Sequence, residues 1–158
     1  MKVLTFNCWA IGYVPFMTKD RKQRVTAIAQ YLANETDAET KDSIYDLVCL
    51  QELWTKADRN LIKEACEKSL PYSAEFHGGV VGSGTMILSK WPILETKFKK
   101  FSLNGYKHEV WYGDALAGSG IGMAKLMIGS PQHHFIGTNY KLSPDFLLIF
   151  EKIWIKFG

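Results

Sequence analysis

Cysteine and proline are scarce in this 158-residue chain, which carries 3 of the first and 5 of the second. Cys8, Cys49 and Cys66 are odd in number and widely spaced, with no CxxC or CxxxH pattern. That argues against a disulfide framework or a zinc site and fits a reduced compartment. Cys8 and Cys49 lie inside apolar runs, where a free thiol behaves as a small hydrophobe. No stretch reaches the roughly 18 apolar residues a membrane-spanning helix needs. The nearly uncharged segment Val3 to Met17 is interrupted by Asn7, Gly12 and Pro15 and has no small-x-small cleavage site, so it reads as a buried strand entering a loop. His77, His108, His133 and His134 show no HExxH or other metal spacing. The glycines form neither GxxxxGK[ST] nor GxGxxG, which removes the standard nucleotide-cradling motifs.

What remains is an ordinary globular composition, 47% hydrophobic, 22% charged and 13% aromatic. Disordered, collagen-like and low-complexity classes are excluded. The length suits one domain with a real core. A formal net charge of +3 neither requires nor excludes a phosphate-bearing partner.

Along the chain, Val3 to Trp9 reads as a strand, and Asp20 is placed to cap a helix in which Val25, Ile28, Ala29 and Leu32 recur at helical spacing. The apolar run Ile44 to Leu50 suits a strand covered on both faces. Leu61, Ala65 and Leu70 mark a second helix, capped near Thr55 or Asp58 and ended by Pro71. The pattern then turns to strands at Tyr72 to His77, Thr85 to Ser89, Glu95 to Leu103, Glu109 to Tyr112, Ile121 to Ile128 and His134 to Thr138. Between them, Gly78-Gly79, Gly82 to Gly84, Asn104-Gly105 and Gly118 to Gly120 read as turns. The order β-α-β-α followed by strands predicts helices packed on a mixed sheet.

Asn7 and Glu52 stand where the first two apolar strands give way to loops. In α/β sheets ligands bind outside the carboxyl ends of strands. A carboxylate there suits Mg²⁺, which takes oxygen donors and few of them from protein. The same positions are also explained if Glu52 caps the next helix and Asn7 closes an Asx turn. The glycine-rich segment Gly78 to Ser89 is open to phosphate or is a plain hairpin turn. Asp114, before the glycines up to Gly122, is a turn residue or a group regulating access to a site. Lys97, Lys99 and Lys100 read as the wet face of a strand. Phe146, Phe150, Ile153, Trp154 and Phe157 form a helical stripe that reads as core packing, with an interfacial membrane helix as the lesser reading.

Taken together, Leu4-Thr5-Phe6-Asn7-Cys8-Trp9 and Asp46-Leu47-Val48-Cys49-Leu50-Gln51-Glu52-Leu53-Trp54 resemble the opening signature of the endonuclease/exonuclease/phosphatase superfamily. Ser83-Gly84, Leu88-Ser89-Lys90-Trp91-Pro92-Ile93, Phe101-Ser102-Leu103-Asn104-Gly105-Tyr106 and Gly113-Asp114 make the chain similar to the neutral sphingomyelinases within it, over residues 2 to 128. The resemblance implies an α/β fold, an incomplete four-layer α/β/β/α sandwich of which this chain supplies the N-terminal half over residues 1–142, with a divergent apolar tail at 143–158. It implies a Mg²⁺-dependent phosphodiesterase that splits sphingomyelin, or a related phospholipid at a membrane surface, into ceramide and phosphocholine, with no nucleic acid as partner. Glu52 then matches the metal-binding glutamate, Asn7 the active-site asparagine and Asp114 an aspartate beside the glycine-rich segment. The family is intracellular and membrane-associated, and no membrane span or signal peptide is expected in this chain. Alternative readings are action on DNA or inositol phosphates, or a non-catalytic fragment that binds a membrane or a partner.

The chain departs from the family at definite places. Ser119 stands where a lysine is expected after Asp114, and Asn139 where a catalytic histidine is expected in Gly137-Thr138-Asn139-Tyr140. Beyond Leu142 neither a Gly-Asp-Leu-Asn-like strand nor a Ser-Asp-His ending occurs. An incomplete chain with little activity of its own is the expectation.

Overall fold

The computed structural model describes residues 1–12, 19–36, 43–77, 83–100, 120–128 and the strand at 134–140. The described elements run β1 (Val3–Ala10), α1 (Arg21–Asn34), β2 (Leu47–Leu53), α2 (Lys56–Cys66), β3 (Tyr72–Phe76), β4 (Thr85–Ser89), β5 (Ile93–Lys100), β6 (Gly120–Met127) and β7 (His134–Tyr140). They form a four-stranded sheet in the order β1-β2-β4-β3 and a three-stranded sheet in the order β5-β6-β7.

β2 shows why the sequence folds this way. Its residues alternate between two cores, as the two-residue side-chain period of a strand requires. Val48 and Leu50 join Cys8, Ala10, Val25, Ala29, Leu32, Ile62 and Cys66 in a cluster between the sheet and the two helices. Leu47 and Cys49 face the other way and pack with Phe76, Ile87, Ala124 and Leu126 between the two sheets. An apolar residue at every position is what burial on both faces demands. β1 and β2 pair in parallel, so the connection between them must cross over, and α1 is that crossover. β4 pairs antiparallel with both β2 and β3. The second sheet is antiparallel throughout. Layering is therefore helices, sheet, sheet, in agreement with the expected α/β architecture; among the described residues no helix covers the outer face of the second sheet.

The sheets approach closely where glycine permits it. A Cβ on Gly122 would lie 2.6 Å from the Phe76 ring, so this glycine lets β6 lie against the β3 aromatic. Gly120, expected in a turn, instead opens β6, and Gly118 and Ser119 lie outside the described residues.

Two end signals differ from expectation. Asp20 does occupy the position before α1, but its backbone is left-handed (φ 58°) and its side chain makes no capping hydrogen bond. The helix instead begins with the Arg24 amide donating to the Asp20 carbonyl at 2.9 Å. α2 ends at Cys66 rather than at Pro71, and its last carbonyl accepts from the Ser69 and Leu70 amides at 3.0 and 2.8 Å. Local hydrogen bonding stops the helix before the proline acts. At the other end Thr55 caps α2 as expected, accepting from the Asp58 amide at 3.2 Å. The expected strand at Glu109 to Tyr112, the Asn104-Gly105 turn, Asp114, Ser119 and the Phe146 to Phe157 stripe all lie outside the described residues. No described helix is long and apolar enough to cross a membrane.

Candidate active site at the carboxyl ends of the first two strands

Asn7 and Glu52 are brought together by the strand register. Asn7 lies opposite Gln51, and the next aligned pair is Ala10 with Leu53. Cys8 and Trp9 on β1 therefore face the single residue Glu52 on β2, an irregularity of the bulge type. Both sides of the bulge carry a non-glycine residue in the left-handed region, Trp9 at φ 45° and Glu52 at φ 56°. Such conformations cost on the order of 1–3 kcal/mol each and gather at functional sites. The kink has a geometric result. Leu50 and Leu53 both enter the helix-side core, although strict alternation would place residues three apart on opposite faces. Glu52 takes up the extra step and is left half-buried at the strand tip.

The backbone after Glu52 is tied to β4, since the Leu53 amide donates to the Gly84 carbonyl at 2.8 Å. Gly84 has φ +66°, and a Cβ there would meet the Trp54 indole at 3.1 Å. Ser83, just before it, donates to the Phe76 carbonyl at 2.5 Å and shares a 2.7 Å hydrogen bond with Thr85. Ser83-Gly84 thus works through backbone geometry and buried hydroxyls, as a support beneath the Glu52 loop.

Asn7 is exposed, and its Oδ1 accepts the Trp9 amide at 2.9 Å. This is the Asx turn left open by the sequence; the oxygen keeps a second lone pair. The alternative for Glu52 is not realised, because Thr55 rather than Glu52 caps α2. Among the described residues the Glu52 carboxylate makes no ion pair. Its charge is nonetheless felt nearby. Burial first, then the negative charges of Glu52 and Asp58, push the Cys8 thiol up to about 12. Burial likewise raises Cys66 to about 11. All three cysteines are buried thiols, so the reading of Cys8 and Cys49 as small hydrophobes holds.

Groups that the sequence did not single out frame the site. Arg21 on α1 donates to Asp58 Oδ2 at 2.5 Å and to Thr55 Oγ1 at 3.1 Å, which couples the segment after β1 to the cap that follows β2. Arg24 places its guanidinium 4.9 Å from the centre of the Trp9 ring and donates to the Trp9 carbonyl at 3.1 Å. The one sequence signal for these was position, a cation in the first turn of a helix that follows a strand tip. β7 runs near β2 and β4, and Asn139 sits on it opposite Gly122 of β6. A shallow depression on α1, bordered by Asp20, Lys22 and Gln30, does not include Asn7 or Glu52.

The donor set is one carboxylate and one amide, both hard oxygen ligands, and no group of three or more His, Cys, Asp or Glu gathers among the described residues. That set fits a cation that takes one or two carboxylates and keeps several waters.

Residues 4–156 match the Endonuclease/Exonuclease/phosphatase family. The chain belongs to that family. It is 38% identical over 145 residues to a putative neutral sphingomyelinase of Drosophila melanogaster, covering 92% of this chain and 30% of that protein. It is 36% identical over 126 residues to an inositol phosphosphingolipids phospholipase C of Schizosaccharomyces pombe, covering 80% of this chain and 27% of the relative. The fold is similar to a crystal structure of a Staphylococcus aureus beta toxin variant with bound magnesium ions, at 20% identity and a TM-score of 0.62, over 86% of this chain and 48% of that one. The chain therefore spans about 30% of the length of the curated relatives and about half of the solved structure.

Proposed function

We propose that the chain carries the first part of the active site of a Mg²⁺-dependent phosphodiesterase that cleaves phosphosphingolipids, sphingomyelin first among them. The observation that carries this reading is the Glu52 carboxylate at the tip of β2, held in a left-handed backbone beside Asn7. Family membership supports it, as do relatives named for sphingomyelin and inositol phosphosphingolipids. A similar fold crystallised with magnesium ions supports the choice of metal.

In this reading Glu52 would hold the ion, and Asn7 would orient the reactants, its NH₂ donating to a phosphate oxygen or its Oδ1 accepting from a water. Mg²⁺, when bound, polarises the phosphoryl oxygens and offsets charge as it builds. Hydrolysis then proceeds by addition of a water oxygen to phosphorus and cleavage of the bond to the ceramide oxygen. A base takes the water proton and the departing ceramide oxygen gains one. Asn139, where the family's catalytic histidine is expected, cannot serve as that base, because an amide does not accept a proton at neutral pH. Loss of a positioned acid or base costs roughly 10²–10⁴-fold in rate. The 158-residue chain alone is accordingly expected to be nearly inactive. Asp114 is proposed to regulate access to the site. The natural setting of the reaction is an intracellular membrane surface, with residues 1–142 as the catalytic part and 143–158 as a divergent tail.

The test is Mg²⁺-dependent release of phosphocholine from sphingomyelin micelles, with inositol phosphosphingolipid micelles as the second arm, by the longest natural polypeptide that contains this sequence. Turnover of either lipid, abolished by Glu52→Gln, is expected. Absence of turnover on both would reject the reading.

A further inference from the structure

The carboxylate at the tip of β2 depends on a backbone that L-residues seldom adopt, so something must hold it there. Arg59, in the first turn of α2, is placed to do so. Its Nη1 donates to the Leu53 carbonyl at 3.0 Å and to the Trp54 carbonyl at 2.9 Å, the two peptide oxygens that follow Glu52. Its Nε donates to Glu75 Oε2 at 2.7 Å, while Lys63 holds Glu75 Oε1 at 2.7 Å. The guanidinium side chain is only 11% exposed. With the Leu53 amide on Gly84, both backbone polar groups of Leu53 are tethered, to the residue before β4 on one side and to α2 on the other. Glu75 comes from β3, so one charged fork joins β2, α2 and β3 around the turn that carries Glu52.

We propose that Arg59 is a positioning residue: it locks the backbone after Glu52 in the left-handed turn that presents the carboxylate to a divalent cation. This rests on the metal-binding reading of Glu52 and adds to it the group that holds the turn. A guanidinium suits the task because its planar fork serves an acceptor on each side at once, which an ammonium on a flexible stem does not. Groups that orient a ligand from behind typically change metal affinity by roughly 10–100-fold when removed.

The test uses the 158-residue chain, isotopically labelled, as wild type, Arg59→Met, Arg59→Lys, Glu52→Gln and Asp46→Asn. One readout is the strong intraresidue amide–Hα NOE that a left-handed residue gives at Glu52, together with the exchange rate of the Leu53 amide. The other is Mn²⁺ affinity from water-proton relaxation. Loss of the NOE, faster Leu53 exchange and about tenfold weaker Mn²⁺ binding in Arg59→Met, with an intermediate effect in Arg59→Lys, support the lock. Asp46→Asn, which lowers stability at the opposite end of β2, should leave both readouts unchanged. A folded Arg59→Met that keeps the Glu52 NOE overturns the proposal. So does Mn²⁺ affinity equal to wild type where wild-type binding depends on Glu52. Should Arg59→Met fail to fold, Arg59→Lys is judged by the same two readouts. If wild type and Glu52→Gln bind Mn²⁺ alike, the metal reading fails, and the NOE still decides the lock by itself.

Discussion

The two ends of β2 each carry an acidic residue, and they are used differently. Asp46, just before the strand, accepts the Lys2 amide at 2.6 Å, pairs with Lys90 at 3.3 Å and lies 3.8 Å from the N-terminal ammonium. Its backbone also takes part, since the Lys90 amide donates to its carbonyl. Glu52, near the strand's far end, has no ion pair among the described residues and sits on a left-handed backbone. One carboxylate is saturated and holds the strands in register. The other keeps its charge available, in a conformation that costs stability. The contrast supports the proposed placing of the site at the carboxyl end, because backbone strain persists only where the surroundings hold it in place.

Substitutions at each carboxylate sharpen the contrast. The largest effect is expected at Asp58, which is buried and paired with Arg21. Asp58→Ala removes the pair and leaves the guanidinium without its anion, so urea denaturation should show a loss of about 3 kcal/mol. Glu52→Gly should do the reverse. Glycine relieves a left-handed strain of roughly 1–2 kcal/mol but adds some unfolded-state entropy. Thermal melts should therefore show stability equal to wild type or higher by up to about 1 kcal/mol, while divalent-cation binding disappears. If Glu52→Gly proved clearly destabilising, Glu52 would be one more structural carboxylate. Asp46→Asn should cost about 0.5–1 kcal/mol, more at low salt than at high, because its partners are partly solvated.

The smallest expected effect is in the pH dependence of stability. Burial tends to raise the Glu75 carboxyl, but hydrogen bonds and charge from Lys63 and Arg59 outweigh it and hold the group below the ordinary carboxylate range. A lowered folded value means that this contribution is present above the unfolded value of about 4.3 and fades as pH falls through the folded one. Glu75→Gln should flatten that acid limb in denaturation curves taken between neutral and strongly acidic pH. An unchanged limb would show that the Arg59–Glu75–Lys63 cluster contributes nothing by charge.

Much of this arrangement is legible in the sequence, and the reason is periodicity. Leu47 to Leu50 announce a strand buried on both faces, and the polar residues Asn7 and Glu52 fall near the carboxyl ends of their strands, Asn7 three residues before the end of β1. Thr55 is legible as a cap because a cap is a local hydrogen bond. Asp20 is misleading for a related reason: its residue type suits capping, but the left-handed turn at that position takes its side chain out of play. The bent backbone of Trp9 and Glu52 leaves no trace in residue type, since neither is glycine or asparagine. The Glu52 turn is met by Gly84 and by Arg59 of α2, and the Trp9 carbonyl by Arg24 of α1, groups that the sequence does not place side by side. Arg59 and Glu75 are likewise ordinary surface letters until the fold brings α2 against β3. The glycine-rich segment is a mixed case. Gly122 matters because the sheets nearly touch there, which a count of glycines does not distinguish from a turn.

The central claim is that the carboxylate at the far end of β2 holds a divalent ion. Isothermal titration of the chain with Mg²⁺ tests it directly, with Glu52→Gln and Asp46→Asn titrated alongside. The account predicts saturable binding in the wild type and in Asp46→Asn, and none in Glu52→Gln. Binding that survives in Glu52→Gln, or that is lost instead in Asp46→Asn, would contradict it.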